Sequence, residues 1–600
     1  MRLRRYLLWG AWMVSVATWA QTGVTGTVTT GANTFGSTDI EASLTGQTGR
    51  LVISVDGGYE RLSKRETWSS EDLDRTIPEI NTRLTGYREG EDPVHQWWAK
   101  LSASYDLDSL NLLSASLGGF LLKHDMLNNG HVTLFNNARG ETFPYGYRES
   151  LPNQGYRSWN GKLDYQHLTS RPGEMLTLSY MLSLSRRHED TQTDYFDEDG
   201  NSLEELQDME TTVNRFTEHT FQADWVRPLG GGHQLELGVK HIYRFNHSHF
   251  TDYILAGGVI DHITPYIDDP LEHVTRVTGA YADYLFQTVR WTLQAGLRYE
   301  HTYLFCDNMD AAVENFTHHQ NHWLPQACVT WRPTDRQTLT LSYASSVQRP
   351  GIHMLNSAIT GTPTMSYLGN PNLIAANTYA VALGYQLETP RLTLRLTPAY
   401  KFANDGLTTV EVNYDEIRVQ TYDNGLCYRS FQIGQNVEWK PFASTAFELD
   451  NTVVYAYNDH TSRGYTNDSW TDEYNVNLRQ QLPWKLHLTL GAEGQIGRKA
   501  IDAYSRVHSW YNYHASLERS FLKDDRLTVS IDAKNIFNRT LSVTNSIING
   551  GFSERNIVCT RGRQFGIRVA YRFGSLRTKV WKAEHTIENN DEIGGIYEEH

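Results

Sequence analysis

An acidic stretch is the first part of this sequence whose side chains could do chemistry. Residues 189–210 contain ten acidic side chains and neither lysine nor arginine. Such a cluster could bind Ca²⁺ or attract a cationic ligand, but it is also typical of a solvated loop whose charges repel one another. A calcium loop of the EF-hand type is excluded, because Tyr195 and Leu206 stand where two of its ligands belong.

Three histidines form the second candidate group. His318, His319 and His322 lie within five positions of one another, and imidazoles at such spacing could hold Zn²⁺, Cu²⁺ or iron. Nothing in the sequence sets a ligand geometry, so solvated loop histidines are the competing interpretation. No nucleophile elbow, metalloprotease helix, phosphate-binding loop or Cys-x-x-Cys pair occurs. We therefore expect a protein that is not an enzyme and needs no cofactor.

Composition limits the class of protein. The 600 residues carry 54 basic and 69 acidic side chains, a net charge of −15, and their mean hydropathy is −0.51. Helical membrane spans need about 20 consecutive apolar residues, which nothing after position 20 approaches. The 34 Tyr, 21 Phe and 16 Trp exclude a disordered chain, and the acidic balance argues against a nucleic-acid partner.

The first twenty residues predict export. Arg2, Arg4 and Arg5 precede an apolar run, and Ala20 offers a cleavage point, so residues 1–20 are interpreted as a signal peptide. Four cysteines are too few for a disulfide scaffold in so long an exported chain. Whether Cys306 and Cys328 pair across one loop is left open.

Alternation of apolar and polar residues predicts strands through the rest of the chain. In the last predicted strand, Phe565, Ile567 and Val569 alternate with polar neighbours. The segment that begins with Leu392 and Leu394 shows the same alternation. The polar face carries full charges, which suits the lumen of a membrane barrel. The expected lumen-lining residues are Arg395, Asp532, Lys534, Arg568 and Arg572.

The connections between these segments alternate between about ten short, turn-rich links and longer ones. This pattern predicts an all-β fold, a transmembrane antiparallel β-barrel of about 22 strands with long extracellular loops and short periplasmic turns. The barrel is expected over residues 21–574, followed by a charged tail over 575–600. Tyrosine and tryptophan would form girdles at the two membrane surfaces.

Three short motifs carry a family resemblance. They are Arg349-Pro350, the Tyr-x-Gly-Asn-Pro landmark Tyr367, Gly369, Asn370 and Pro371, and the Asn-x-Phe-Asn landmark Asn535, Phe537 and Asn538. Together they resemble barrels of TonB-dependent receptors, especially the Bacteroidetes-type outer-membrane β-barrel family. We interpret the landmarks as structural, since prolines end strand pairing and Gly-Asn supplies turns. The resemblance implies that the aromatic Phe573 of the last strand is recognised by the barrel-insertion machinery.

The same resemblance implies a function and a location. It predicts a protein of the Gram-negative outer membrane, in contact with its lipid, that takes part in ligand capture and transport. One feature departs from the family, because the strand-like run from Gly23 leaves no room for a plug domain or a TonB-contacting box. TonB, a separate plug or a lipoprotein lid therefore remain alternatives as partners. A plugless pore or a surface adhesion scaffold is the alternative function, and a secreted soluble β protein is the third.

Overall fold

The structure is a computed structural model that describes residues 23–136, 140–203, 207–256, 259–260, 267–308, 315–356, 359–362, 365–414, 417–548, 551–575, 587, 589 and 592–593. The chain forms a closed antiparallel barrel of 22 strands, as the sequence predicts. The predicted signal peptide at 1–20 and most of the predicted tail lie outside the described residues.

The 22 wall strands follow one another around the barrel in chain order. They are β1 Val24–Asn33, β2 Thr38–Thr48, β3 Leu51–Leu62, β4 Val94–Asp106, β5 Asn111–Asn136, β6 Glu141–Leu168, β7 Met175–Phe196, β8 Asp208–Gly230, β9 His233–Ala256, β10 Ile267–Gln287, β11 Trp291–Asn308, β12 Phe316–Thr334, β13 Gln337–Pro350, β14 Ala376–Glu388, β15 Leu392–Tyr414, β16 Ile417–Phe442, β17 Thr445–His460, β18 Tyr465–Leu482, β19 Leu486–Gly497, β20 Trp510–Phe521, β21 Leu527–Lys534 and β22 Gln564–Gly574.

Pairing of the first strand with the last closes the wall. The β1–β22 ladder is antiparallel and runs from Thr25 opposite Gly574 to Asn33 opposite Gly566. Every backbone donor and acceptor in the wall can then find a partner on a neighbouring strand, which a bilayer requires of any structure that crosses it. All ten predicted short connections are present, each of two to six residues, and they define the turn end of the barrel.

The two faces of the wall differ in chemistry. Leu517, Ile531 and Ile567 are opposite one another on β20, β21 and β22, and all three are exposed on the outer surface. The next row, Ser516 and Asp532, therefore points into the lumen, because strand side chains alternate between faces. An exposed apolar outer face on a closed barrel is the surface that contacts lipid.

Exposed tryptophans mark the limits of this apolar belt. Trp291 and Trp331 stack with ring centroids 5.6 Å apart near the turn end. Trp323 is exposed eight residues farther along the strand of Trp331, and Trp470 is exposed on β18. Eight residues span about 27 Å along a strand, which at a tilt of about 40° is about 20 Å of membrane depth, slightly less than the roughly 25 Å height of an outer-membrane apolar band.

The opposite, loop end differs from the sequence-based expectation. Several predicted long loops, such as 124–155 and 403–428, are mostly hairpins continuous with the wall, so β5, β6 and β16 reach 26, 28 and 26 residues. A membrane crossing needs only about 9–11 residues. The polar upper halves of these strands therefore stand clear of the membrane, and their mixed composition hid the alternation.

The upper halves of β5, β6 and β16 belong to a second level of sheet beyond the membrane, here called the outer tier. Two further hairpins complete the outer tier above the shorter wall strands. Strand Ser69–Ile77 pairs with Thr82–Glu91, and strand Thr540–Ile547 pairs with Ser553–Arg561. The two hairpins also pair with each other, and the first joins the upper half of β5. The tier is thus a second stretch of sheet rather than a set of separate loops.

The remaining elements are short. The strands are Val259–Ile260, Ile359–Thr362, Met365–Leu368, Lys499–Ala500, Ser505–Val507 and Glu592–Ile593, the α-helix is Ile352–Leu355, and the 3-10 helices are Pro78–Ile80, Thr461–Arg463, Pro483–Lys485 and Lys523–Asp525. Within the described ranges, no helix has the length and apolar character needed to cross a membrane.

The cysteine pair that the sequence left open does not form. Cys306 and Cys328 are both free thiols. Cys328 lies opposite Gln294 on β11, twelve residues from Cys306 on that strand, which is about 40 Å of extended chain. A disulfide needs Cα atoms within about 7 Å, so the strand register excludes this pair.

Lysine scanning of adjacent residues tests which face meets lipid. We expect Leu517→Lys to destabilise the barrel by up to about 2–4 kcal/mol, because it places a charge in hydrocarbon. The matched control, Ser516→Lys, points into the lumen beside Asp532 and should cost far less. Urea unfolding of the protein refolded in lipid vesicles measures both, and equal losses would contradict the assigned faces.

Candidate functional site

The lumen contains a buried ion pair at one of the family landmarks. Arg349, at the loop end of β13, donates from Nη2 to Oε2 of Glu300 at 2.5 Å and to Oγ1 of Thr302 at 3.1 Å. All three residues are at most 5% exposed. A guanidinium this deeply buried needs such partners, because an unpaired charge there would be very costly.

A second buried pair lies close by on β8 and β9, and its Arg244 lines the same small cavity as Arg349. Arg244 donates from Nε to Oε2 of Glu218 at 2.6 Å, and both side chains are nearly inaccessible. Sequence reasoning missed Glu218 and Glu300. The parity of β8 and β11 could have placed both carboxylates inward. The register of β8 with β9 sets Glu218 opposite Arg244, whereas Glu300 meets Arg349 of β13, two strands away, a contact that no ladder between adjacent strands records.

The segment after β13 folds into the barrel instead of away from it. Helix Ile352–Leu355 buries Met354 and Leu355 against Leu304 of β11, together with Leu373. His318 Nε2 lies 3.1 Å from the carbonyl oxygen of Pro371, which ties the same segment to β12. Residues 351–356, 359–362 and 365–375, here called the inner loop, therefore narrow the loop end of the lumen.

The Tyr-x-Gly-Asn-Pro landmark forms the returning half of the inner loop. A Cβ on Gly369 would lie 2.0 Å from the backbone oxygen of Asn356, so only glycine fits there. Asn370 donates from its amide nitrogen to Met354 O and from Nδ2 to Tyr422 O. Tyr367 is exposed, and Pro350 is the last residue of β13.

The Asn-x-Phe-Asn landmark ends β21 at its loop end. Asn535 adopts a positive φ of 47° and accepts a hydrogen bond at Oδ1 from the Tyr513 amide. Tyr513 in turn donates from its hydroxyl to Asn538 Oδ1 at 2.8 Å, while Phe537 is exposed. Phe573 covers Gly26 on the neighbouring β1, where a Cβ would meet its ring at 2.5 Å.

A polar cavity of about 680 Å³ opens on the opposite side of the lumen. Its wall carries both signs of charge, and Lys499 Nζ lies 2.6 Å from Glu473 Oε1. Arg395, one of the predicted lumen residues, lines this cavity. Other residues on its surface include Gln435, Asp450, Asn451, Glu493 and Trp510.

The other predicted lumen residues lie apart from this cavity. Arg568 Nη2 lies 3.7 Å from Asp39 Oδ1 across β1, and Arg572 donates to the Asp524 carbonyl in a turn. Asp532 fills the space beside Gly566, and Lys534 is an exposed residue at the end of β21. Of the five, Arg395 lines the cavity of about 680 Å³, and the other four are not part of its wall.

The three histidines do not converge on a metal site. All lie on β12, but His318 and His322 point inward while His319 stacks near His301 on the outer face. His322 Nδ1 is instead 2.8 Å from Asn377 Oδ1. Across the part of the chain that the structure describes, no three His, Cys, Asp or Glu residues are grouped to hold a metal.

The acidic stretch divides into a turn and a buried group. Asp197 closes an exposed turn, because its Oδ1 accepts hydrogen bonds from the backbone amides of Asp199 and Asn201. Burial, then repulsion from Asp252, raises the pKa of Asp208 to about 7, and burial, then repulsion from Asp208, raises the pKa of Glu210 to about 8. These carboxyls face the inside of the outer tier.

Breaking the landmark ion pair is expected to destabilise the barrel. Arg349→Met leaves Glu300 buried with its main partner removed, which should cost about 3–5 kcal/mol. The double variant Glu300→Gln/Arg349→Met removes both charges and should recover much of that loss. Urea unfolding measures the two, and an equal loss in both variants would show that the charge pair is not the cause.

The outer tier should loosen as the pH rises. The pKa values of Asp208 and Glu210 are higher in the folded state than the usual value of about 4. These groups therefore destabilise the fold least below pH 4, and the free energy of unfolding falls as the pH rises to about 8. Hydrogen exchange over 208–213, corrected for intrinsic rates, should be faster at pH 9 than at pH 6.

The variant Asp208→Asn/Glu210→Gln should abolish this pH dependence. Asp197→Asn, in the exposed turn, is the matched control and should leave it in place. A difference between pH 6 and pH 9 that survives in the double variant would assign the effect to other groups.

Comparison with known proteins extends these observations. The solved structures that resemble the chain include the ferric citrate transporter FecA, with 13% identity, a TM-score of 0.62, and coverage of 92% of this chain and 78% of that one. The copper transporter OprC has 12% identity, a TM-score of 0.64, and coverage of 92% and 83%. The ferric yersiniabactin uptake receptor FyuA from Yersinia pestis has 13% identity, a TM-score of 0.58, and coverage of 92% and 80%.

At these identities the likeness shows a shared fold, and it confirms the predicted resemblance to TonB-dependent receptor barrels. No curated protein sequence matches the chain. The model of the outer membrane protein beta-barrel family matches residues 167–571, which is more than half of the chain. The protein therefore belongs to the outer membrane protein beta-barrel family and resides, in contact with lipid, in the outer membrane of a Gram-negative bacterium.

Proposed function

We propose that the protein captures a polar ligand at the cell surface and carries it across the outer membrane through the barrel lumen. The observation that carries this proposal is the mixed-charge cavity of about 680 Å³ inside a closed barrel. Solved neighbours are named as transporters or uptake receptors for ferric citrate, copper and ferric yersiniabactin. These names support transport as the class of function.

The cavity favours a ligand that carries both donors and acceptors. Lys499 and Arg395 offer positive charge, while Glu473 and Glu493 offer negative charge on the same surface. Trp510 adds one apolar face. A small zwitterion or a chelated metal could use such a wall, since polar groups at several positions fix the orientation of a ligand.

The outer tier and the inner loop would supply selectivity. The inner loop blocks part of the loop end, so a ligand must pass beside it before reaching the cavity. Arg395, Asp532, Lys534, Arg568 and Arg572 are proposed to line the passage below. The landmark residues at 349–371 and 535–538 are proposed to shape the wall rather than to contact ligand.

The partners follow from the same proposal. TonB, a separate plug or a lipoprotein lid would couple the barrel to energy or complete its closure, and the insertion machinery would read the last strand at Phe573. Residues 1–20 would direct export. We propose no catalytic activity, because the long connections of the sequence contain no recognisable nucleophile–base pair.

A liposome-swelling assay separates transport from the alternative of an open pore or adhesion scaffold. The protein, first shown to be folded by heat-modifiable gel mobility, is reconstituted and tested with arabinose and stachyose. We expect little swelling with either sugar, because a selective transporter does not conduct small solutes freely. Rapid swelling with arabinose would overturn selective transport in favour of an open pore.

Calorimetric titration with ferric citrate, a ferric siderophore, a copper(II) chelate and a dipeptide then tests capture. We expect at least one to bind and Glu473→Gln or Lys499→Met to weaken that binding at least tenfold. Lys485→Met is the matched control, since it breaks a pair with Asp525 of the same 2.6 Å length in an exposed turn. Failure of every ligand in the panel, with no swelling, would favour the adhesion scaffold.

A further inference from the structure

Three arginines stand in one row on the outer surface of the barrel. The strand registers place Arg157 of β6 opposite Arg186 of β7, and Arg186 opposite Arg215 of β8. Because neighbouring strands lie about 4.8 Å apart, the three Cα atoms fall within about 10 Å of one another. These three residues are here called the arginine row.

The arginine row lies directly above the surface that contacts lipid. The next residues toward the turn end on the same face are Trp159, Leu184 and Thr217, which are also opposite one another. Trp159 and Leu184 are exposed on the outer face. Since side chains two positions apart on a strand share a face, the arginines point outward as well, about 7 Å farther along the strands toward the loop end.

Within the described part of the chain, the arginine row has no ion-pair partner. Arginines that point into the lumen on the same strands and the next one are paired. Arg187 contacts Glu189, and Arg244 contacts Glu218. Like charges that are directly opposite one another on neighbouring strands repel, so an anion from outside the chain would stabilise the row.

The row is confined to one side of the barrel. It ends at β9, where His247 is opposite Arg215 and its Nδ1 lies 3.6 Å from Oε1 of Glu272. Two residues above the exposed upper tryptophans of β12 and β18 lie Asn321 and Asp468, neither of which is basic. On a chain with a net charge of −15, the arginine row is therefore a local basic site rather than part of a general basic rim.

An apolar notch lies below the arginine row. Gly161 of β6 is on the same outer face as Trp159, and its strand partners are Leu117 of β5 and Leu182 of β7. A Cβ built on Gly161 would meet no atom within 4 Å, so the space between these side chains is open. The notch is about 13 Å below Arg157 along the strand. A ligand that fills both features carries an anionic group above and a hydrocarbon chain below.

We propose that the arginine row binds the phosphate of a lipid headgroup in the outer leaflet, while an acyl chain of the same lipid lies in the notch at Gly161. Guanidinium groups suit phosphate, because their planar N–H donors match its oxygens in pairs. The row is at the loop end, which faces the cell exterior, so the lipid belongs to the outer leaflet. This interaction goes beyond the proposed transport function and does not depend on it.

Native mass spectrometry of the full-length barrel in a neutral detergent tests the site. The probe is lipid A that carries two phosphates. The wild-type barrel should retain bound lipid A, and Arg157→Gln/Arg186→Gln/Arg215→Gln should bind it at least tenfold more weakly, because basic residues at a membrane surface attract anionic lipid. Retention at the wild-type level in this triple variant would overturn the proposal.

The matched control makes the same change in net charge at the other end of the barrel. Arg171→Gln/Arg336→Gln/Arg391→Gln alters three exposed arginines of the short turns. This variant should bind lipid A as the wild type does. An equal loss of binding in the two triple variants would show that overall charge, and not the arginine row, holds the lipid.

Two further probes identify the source of the phosphate. Lipid A without its phosphates should bind the wild type at least tenfold more weakly, and equal binding would reduce the site to an apolar surface. Inorganic phosphate in large excess should leave lipid A bound. Displacement by inorganic phosphate would assign the row to a free anion and overturn the lipid as its ligand.

Two single variants complete the test and guard against a folding defect in the triple variant. Each variant is first shown to be folded by heat-modifiable gel mobility. Arg186→Gln removes the central charge of the row and should weaken lipid A binding, and unchanged binding would contradict the row as the phosphate site. Gly161→Leu fills the notch and should also weaken binding, although it leaves all three arginines in place. Unchanged binding in this variant would contradict the position of the acyl chain.

Discussion

The constraint on which the whole structure depends is that no backbone polar group can be left unpaired in hydrocarbon. An open sheet cannot meet it, since its two edge strands would expose a row of donors and acceptors. The β1–β22 ladder removes both edges by joining the two ends of the folded chain. The outward apolar rows, the short turns and the tryptophan belts all follow from holding that closed wall at one depth in the bilayer.

Closure creates a lumen, and the lumen raises a second problem, that of charges shielded from bulk water. Arg244 meets it by pairing with Glu218 on the neighbouring strand, and Arg349 meets it by reaching past β12 to Glu300 of β11. Such pairs contribute little net stability compared with apolar packing, but losing one member is costly. The Arg349 guanidinium also donates to Thr302 Oγ1, so the wall strand β11 supplies it with a second partner.

The sequence predicted the wall well because its signals are local. Alternation at Phe565, Ile567 and Val569 and the turn residues between strands each depend on a few neighbouring positions. The strands of the outer tier were not predicted from the sequence because they have polar side chains on both faces. The histidine group was misleading since adjacent strand positions point to opposite faces, which separates His318 from His319. The buried ion pairs join residues 26 and 49 positions apart, and no local pattern records such a contact.

The ladder between the first and last strands also imposes an order on assembly. Val28 meets Tyr571 only after nearly the whole chain has been made, so closure is among the most non-local steps that a fold of this length can have. Until that step the wall is a curved sheet whose first and last strands each expose an unpaired edge. A chain that stops short of β22 would keep such an edge, so a bilayer could accept no shorter version of this wall.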